Sequence, residues 1–165
     1  MSQVDINLEP EFDGISYLVG GPVKENLRFG PREFCLITGF IFDDNTKAKH
    51  GGFSFINRVL SENIVIPFSV DSLKTLLEEK EELFEDEDVV RLCLLLLLYS
   101  FFMGVETTKL VEQDHLLLVD NLQFWNEYNW GSYLWSRTYP NLLNVLAKKK
   151  LHPNKKLYYS LTGFV

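Results

Sequence analysis

The chain has 165 residues, of which 46% are hydrophobic and 24% are charged, and its formal net charge is −7. This length fits one domain that is large enough to bury a hydrophobic core. The acids are concentrated early, with 18 acidic and 8 basic residues in positions 1–88 against 5 and 8 in positions 89–165. Since a net acidic domain binds phosphate backbones poorly, the charge argues against a non-specific nucleic-acid binder.

The N-terminal residues are acidic and polar, so no signal peptide is expected. The only cysteines, Cys35 and Cys93, lie in apolar stretches, which predicts buried, reduced thiols in a reducing compartment. Residues 1–27 contain several glycines and are expected to be irregular, with residues 15–19 forming a short strand or an apolar contact. A helix of about two turns follows, since Gly30 and Pro31 suit a helix start and Gly39 suits a left-handed stop.

The middle of the chain alternates short elements with polar segments. Residues 53–60 have the apolar spacing of a short helix, whereas residues 64–70 alternate as in a strand that Pro67 restricts to a sheet edge or an extended connector. Asp71 is predicted to cap the next helix. That helix runs into an acidic stretch at residues 78–88, interpreted as a solvated helix surface or as a docking surface for a basic partner.

The longest apolar run is VVRLCLLLLLYSFFMGV, residues 89–105. A helix that is apolar on all sides must be surrounded by protein or lipid. Its uncharged part, residues 92–105, is shorter than the roughly 20 residues of a membrane span, so we predict a buried core helix. The rest of the chain is expected to pack around this helix.

The C-terminal third is rich in aromatic residues. An apolar group at residues 116–119 is predicted to pair or to pack beneath the core helix, and Asp120 or Asn121 is predicted to cap the helix that follows. Pro140 should kink or divide that helix. The sequence thus predicts a mainly α, single compact domain spanning residues 1–165, with its helical core at residues 28–165 and at most a small two-stranded element.

Four motifs occur in order along the chain: FGPREFCLITGF, LCLLLLLYSFF, VDNLQFWNEYNWGSYLWSRT and YSLTGF. Together they resemble a plant-specific domain of unknown function that lies upstream of SUMO-protease-like (Ulp-type) peptidase domains in proteins derived from Mutator-like transposons. More distantly, the layout resembles the plant mobile domain. The resemblance covers about residues 26–164 and implies a plant, transposon-related and nuclear setting, with the cytoplasm as the other location. That family continues with another helix, which implies a domain truncated at its C-terminus.

Enzyme and metal chemistry find little support in the residues. A cysteine hydrolase needs a thiolate beside a histidine, but burial of Cys35 and Cys93 would disfavour the thiolate, and His50, His115 and His152 are predicted in three separate loops. The cysteines and histidines also lack paired spacings such as C-x₂-C that are typical of metal sites. The resemblance supplies no catalytic residue for this domain. We therefore expect a non-enzymatic domain without a metal or cofactor.

The aromatic segment provides the first candidate binding surface. Its rings cannot all face inward from one helix, and exposed Trp and Tyr residues are typical anchors of protein interfaces. This predicts a protein-interaction domain whose partner is another protein of unknown identity or a second copy of the chain. The predicted partner-binding residues are Trp125, Asn129, Trp130 and Tyr133.

The alternative surface is a basic cluster in the sequence KKKLHPNKK, residues 148–156. Its lysines are Lys148, Lys149, Lys150, Lys155 and Lys156. Such a cluster is typical of nuclear-import signals and of contacts with backbone phosphates, but it also fits a solvated helix end. A nucleic-acid-binding module is therefore the second hypothesis.

Overall fold

The computed structural model describes residues 5–7, 15–19, 25–43, 51–60 and 69–151, with side chains described from Phe29 onward except at positions 81 and 145–150. Helices dominate these residues, which confirms the mainly α fold class. The α-helices are α1 (Pro31–Thr38), α2 (Val70–Lys80), α3 (Asp86–Leu96), α4 (Gln113–Asp120), α5 (Leu122–Glu127) and α6 (Trp130–Leu151). A 3₁₀ turn at Glu81–Leu83 and π-helical turns at Ile56–Leu60 and Leu97–Phe102 complete the set.

The N-terminal part forms a three-stranded antiparallel sheet. Its strands are β1 (Asp5–Asn7), β2 (Ile15–Val19) and β3 (Glu25–Phe29), paired in the order β1-β2-β3. The strand expected at residues 15–19 is confirmed, but the expectation of an irregular segment with at most two strands is wrong. The flanking strands, DIN and ENLRF, contain Asp, Asn and Glu, which are depleted in strands, so they escape a reading based on propensity.

Helix α1 has the boundaries that its sequence predicts. The backbone N–H of Gly30 donates to Oε2 of Glu33 at 2.9 Å, and Pro31 occupies the first turn, where no backbone donor is needed. Gly39 ends the helix with a left-handed φ of 74°, which a residue with a side chain adopts only under strain. The chain then turns back toward the core at Phe40.

Helix α3 and the π turn that continues it, residues 86–102, form the centre of the fold, as predicted, and we refer to them as the central rod. Leu92, Leu95, Leu98 and Tyr99 are buried against the rest of the core, and α2 and α4 pack against α3. The other side of the same rod is exposed, so the expectation that it is surrounded on all sides is wrong. Among the residues that the structure describes, α2 and α4 pack on the buried side of the rod, and Val90, Leu97 and Phe101 are exposed on the other side. No helix among the described residues is long and apolar enough to cross a membrane.

The segment before α5 follows the prediction in part. Residues 116–119 lie within α4, where Leu116, Leu118 and Val119 are buried, so this group packs into the core. Asn121 caps α5, because its Oδ1 accepts from the backbone N–H groups of Gln123 and Phe124 at 3.0 and 3.1 Å. The predicted strand at residues 64–70 lies mostly outside the described residues.

The aromatic segment is divided at a different place from the predicted one. Helix α5 ends at Tyr128, whose backbone is extended, whereas α6 runs without a break past Pro140 to Leu151. The side chain of Asn129 then accepts from Ser132 N at 3.4 Å at the start of α6. Pro140 removes one backbone donor inside α6, but the adjacent turns remain hydrogen-bonded, so the helix continues.

Candidate protein-interaction site

An apolar groove of about 370 Å³ opens beside the central helix. Three parts of the chain enclose it: the segment after α1, one side of α3 with its π turn, and α5 with the first residue of α6. None of the lining residues that the structure describes carries a charge. They are Gly39, Phe40, Ile41, Leu94, Leu97, Leu98, Phe102, Trp125, Asn126, Tyr128 and Trp130.

The wall formed by α5 and α6 is aromatic and internally bonded. The indole Nε1–H of Trp130 donates to the carbonyl oxygen of Trp125 at 2.9 Å, and the two ring centroids lie 4.5 Å apart. Tyr128 packs edge-on against Trp130 at 4.6 Å. Trp125 and Trp130 expose only 7% and 8% of their surface, so they present ring edges to the groove and bury the rest. This wall is therefore a rigid part of the core.

The other wall ends in solvent. Val90, Cys93, Leu97 and Phe101 are exposed and recur about once per turn along α3 and its π turn, and we refer to them as the exposed stripe. Leu97 is 45% exposed and also lines the groove, which makes the groove and the stripe continuous. The Phe101 ring lies 5.4 Å from that of Phe102 in the groove wall. The stripe lies within the apolar run 89–105, which was interpreted as a buried core helix because of its length.

The segment after α1 forms the rim across the groove. Ile41 is 65% exposed while lining the groove, and Phe42 beside it is also exposed. Phe40 points inward and contacts Phe102 with ring centroids 5.0 Å apart. This rim was not predicted from the sequence. Three apolar residues directly after a helix-ending glycine, Phe40 to Phe42, were the available signal.

The four predicted partner-binding residues do not form one exposed surface. Trp125 and Trp130 line the groove from buried positions, as described above. Asn129 is buried, and its side-chain amide donates to the carbonyl oxygen of Asp43. Tyr133 is half-buried, with the guanidinium of Arg137 4.7 Å above its ring. The aromatic residues are divided between α5 and α6, with the extended backbone of Tyr128 between them, which a single-helix interpretation could not anticipate.

His115 lies at the centre of a buried aromatic cluster, not in a loop as predicted. Its Nδ1 is 2.7 Å from the Tyr99 hydroxyl, which also accepts from the backbone N–H of Glu112 at 2.7 Å. The Tyr99 hydroxyl therefore bridges His115 and the backbone of Glu112, and the imidazole tautomer decides which atom donates in the bond to His115. Burial lowers the pKa of His115 to about 4. Because His115 is buried, it joins α4 to the central rod and is out of reach of a substrate.

The acidic stretch divides into a buried and an exposed part. Asp88 is buried and accepts from Arg58 at 3.1 and 2.8 Å and from Arg91 at 2.7 Å, which links α3 to the π-helical turn Ile56–Leu60. Burying a carboxylate requires such partners, so this group stabilises the fold. Six acids of the stretch are exposed and could be reached by a basic partner: Glu78, Glu79, Glu82, Glu85, Asp86 and Glu87.

The structure also places the two cysteines and part of the lysine cluster. Cys35 is partly buried, and burial raises the pKa of its thiol, whereas Cys93 is exposed, which corrects the prediction that both are buried. Among the described residues no group of three His, Cys, Asp or Glu side chains could hold a metal ion. Of the basic cluster, positions 148–150 lie on α6, but their side chains, and Lys155 and Lys156 entirely, lie outside the described residues.

Comparison with known proteins adds a family. A protein-family model described as "Domain of unknown function (DUF1985)" matches residues 22–141, which is well over half of the chain and includes every residue lining the groove. Comparison with curated proteins found no match, and comparison with solved structures found none either. The chain belongs to the DUF1985 family of domains of unknown function.

Proposed function

We propose that this domain is a non-enzymatic protein-interaction module that binds its partner at the apolar groove and the exposed stripe. The observation that carries the proposal is the position of Leu97, which lies half in solvent on the central rod and at the same time lines an uncharged groove. Monomeric soluble proteins rarely expose a continuous apolar surface of this kind without using it.

The geometry fits the known anatomy of interfaces. Hot spots cluster in well-packed, desolvated pockets and are enriched in aromatic residues, and a pocket that is already formed lowers the cost of binding. The hydrogen bond between Trp130 and Trp125 fixes one wall of the groove before any partner arrives. The predicted aromatic residues thus support the site from behind, whereas Leu97, Phe101 and Ile41 make the contact.

The biological setting belongs to the same proposal. The four ordered motifs of the sequence support a plant, transposon-related parent protein, and that parentage favours the nucleus. Exposed acids at Glu85 and Asp86, next to one end of the stripe, would steer a partner with a basic surface during encounter.

The test is retention of proteins from nuclease-treated plant nuclear extract on the immobilised domain. Leu97→Glu places a charge in the groove, whereas Leu83→Glu places the same charge at an exposed leucine of the 3₁₀ turn outside the groove. We expect a defined protein to be retained by the wild type and by Leu83→Glu, and to be lost with Leu97→Glu.

Equal retention by both variants would show that the groove is not the binding site. If material were retained from untreated extract but not from nuclease-treated extract, the result would favour the nucleic-acid hypothesis. Replacing Lys148, Lys149 and Lys150 together with Glu would then be expected to weaken DNA binding and reduce its salt dependence.

A further inference from the structure

We infer that the partner at this site is a second copy of the same chain, held in a two-fold symmetric dimer in which each copy inserts Phe101 into the groove of the other. The inference rests on the proposed function, because it names the occupant of the proposed binding site. Three features of the described residues support it: the area of the surface, its lack of charge, and the position of Phe101 beside the groove.

The exposed apolar area matches what a dimer needs. Ile41, Phe42, Val90, Leu97 and Phe101 together expose the equivalent of between two and three whole side chains, or about 500 Å² at roughly 200 Å² for each large side chain. A standard interface buries about 800 Å² per partner, and about 65% of it is apolar in homodimers. Exposed polar residues such as Ser100 and Asn126 supply polar area around this patch.

The absence of charge favours pairing of the surface with itself. In a two-fold symmetric interface the same residues meet from both sides, so a charged patch would face its own sign and be repelled. None of the described residues that line the groove or form the exposed stripe is charged. A net acidic chain can therefore meet a second copy at a surface that carries no charge among its described residues, while Glu85 and Asp86 lie at one end of the stripe, outside the groove.

A projecting side chain and a cavity occur next to each other on this surface. Phe101 is 66% exposed, and the ring of its neighbour Phe102 forms part of the groove wall 5.4 Å away. A groove of about 370 Å³ has room for an aromatic side chain. Because the projection and the cavity lie side by side, a two-fold rotation places each Phe101 opposite the groove of the other copy, and both contacts form at once.

The first experiment is sedimentation velocity of the purified chain from roughly 1 to 100 µM, a range that covers ordinary homodimer affinities. We expect a species of twice the 19.2 kDa chain mass to appear as concentration rises. Leu97→Glu and Phe101→Glu should raise the dissociation constant at least tenfold, whereas Leu83→Glu should leave it unchanged. All three positions are exposed, so unchanged circular dichroism and unfolding midpoints should confirm that the variants fold.

The second experiment tests the symmetry. Fluorescently labelled Leu97→Glu is mixed with excess wild type, and its sedimentation is followed. In a symmetric dimer the variant should bind the wild type more weakly than the wild type binds itself but more tightly than the variant binds itself, because one of the two equivalent contacts remains. Binding of the variant to the wild type as tight as that of the wild type to itself would show a head-to-tail contact and overturn the symmetric arrangement.

A wild-type chain that remains monomeric throughout would overturn the second-copy inference. The proposed function would survive that result if a protein from extract still bound in a Leu97-dependent way. If neither association depended on Leu97, both proposals would fail, so the two failures can be told apart.

Discussion

Gly131 is the residue at which α6 approaches the segment after α1 most closely. Its backbone N–H donates to the carbonyl oxygen of Ile41 at 3.1 Å, and a Cβ at this position would lie 2.3 Å from that oxygen and 2.9 Å from Sγ of Cys35. Real Cβ atoms do not approach a backbone oxygen this closely, so the rim and the helix would have to separate. The glycine therefore sets the distance between the rim of the groove and its aromatic wall.

We expect Gly131→Ala to destabilise the domain by about 2 kcal/mol, since overpacking costs more than the gain in helix propensity that alanine brings. Chemical unfolding measures this change. Gly52→Ala is the control, because the nearest atom to its Cβ is a side-chain oxygen of Asp120 at 3.2 Å, where a small shift is enough. Equal stability of Gly131→Ala and wild type would mean that the rim moves freely.

His115 should make the stability of the domain depend on pH. Burial lowers its pKa in the folded state from 6.5 to about 4, so between these values the unfolded chain binds the proton and the folded chain does not. The stabilisation is complete above pH 6.5 and declines as pH falls toward 4. The loss attributable to this histidine between pH 7 and pH 5 is roughly 2 kcal/mol.

The measurement is the free energy of unfolding at pH 7 and pH 5 for wild type and for His115→Gln. Titration of other groups is common to both proteins, so the difference between them isolates His115. We expect His115→Gln to be less stable at pH 7 but to lose less stability on acidification. A parallel pH dependence would contradict the burial of a neutral imidazole.

At the scale of elements, α5 is the short helix that carries the aromatic wall. It has only six residues, and isolated helices of that length are unstable in water, so its cap and its packing determine whether it forms. We expect Asn121→Ala to cost about 1 kcal/mol of stability, because two backbone N–H groups lose their acceptor. Asn121→Asp is the matched control, since its carboxylate can accept the same bonds.

The same helix connects stability with binding. Trp125 lies on α5, so fraying of this helix should disturb the groove, and Asn121→Ala should weaken association at the groove more than Asn121→Asp does. Equilibrium unfolding and sedimentation velocity measure the two effects on the same samples. Weakened stability with unchanged association would show that the groove does not depend on the position of α5.

Helix boundaries that local residues determine could be predicted from the sequence, whereas boundaries that depend on distant parts of the chain could not. Pro31 marks the start of α1 and Gly39 its end, and Asn121 marks the start of α5, so these boundaries can be predicted from the residues at the boundaries themselves. At the break near Tyr128 there is instead a tertiary contact, the hydrogen bond from the Asn129 side chain to the carbonyl of Asp43. Local patterns do not contain that contact, and the sequence pointed to Pro140 because proline is the strongest local signal for a break.

At the scale of the whole molecule, the central rod shows why the candidate site was mostly missed. The composition of residues 92–105 predicts that they are buried, but it does not indicate whether residues of this chain or of another chain bury them. The charge-free run therefore predicted burial correctly for Leu92 and Leu95, whereas Leu97 and Phe101 are exposed. What distinguishes the two groups is the number of elements available to cover the rod, which emerges only after folding.

Cys93 makes the state of that uncovered side measurable. It lies between Val90 and Leu97 on the exposed stripe, whereas Cys35 is partly buried. In a dilute solution a thiol reagent should label Cys93 at the rate of an accessible thiol and Cys35 more slowly, because burial raises the pKa of Cys35. Cys35→Ser isolates the reaction of Cys93.

If two copies cover each other's stripes, the labelling rate of Cys93 should fall with protein concentration in proportion to the dimer fraction. Leu97→Glu in the same Cys35→Ser background should label at one constant rate over the full concentration range. Sedimentation shows in which concentration range the Cys35→Ser protein is a dimer. If its labelling rate is constant over that range as well, the dimer contact lies elsewhere. The stripe is then open in both states, and the search for its partner moves from this chain to other proteins.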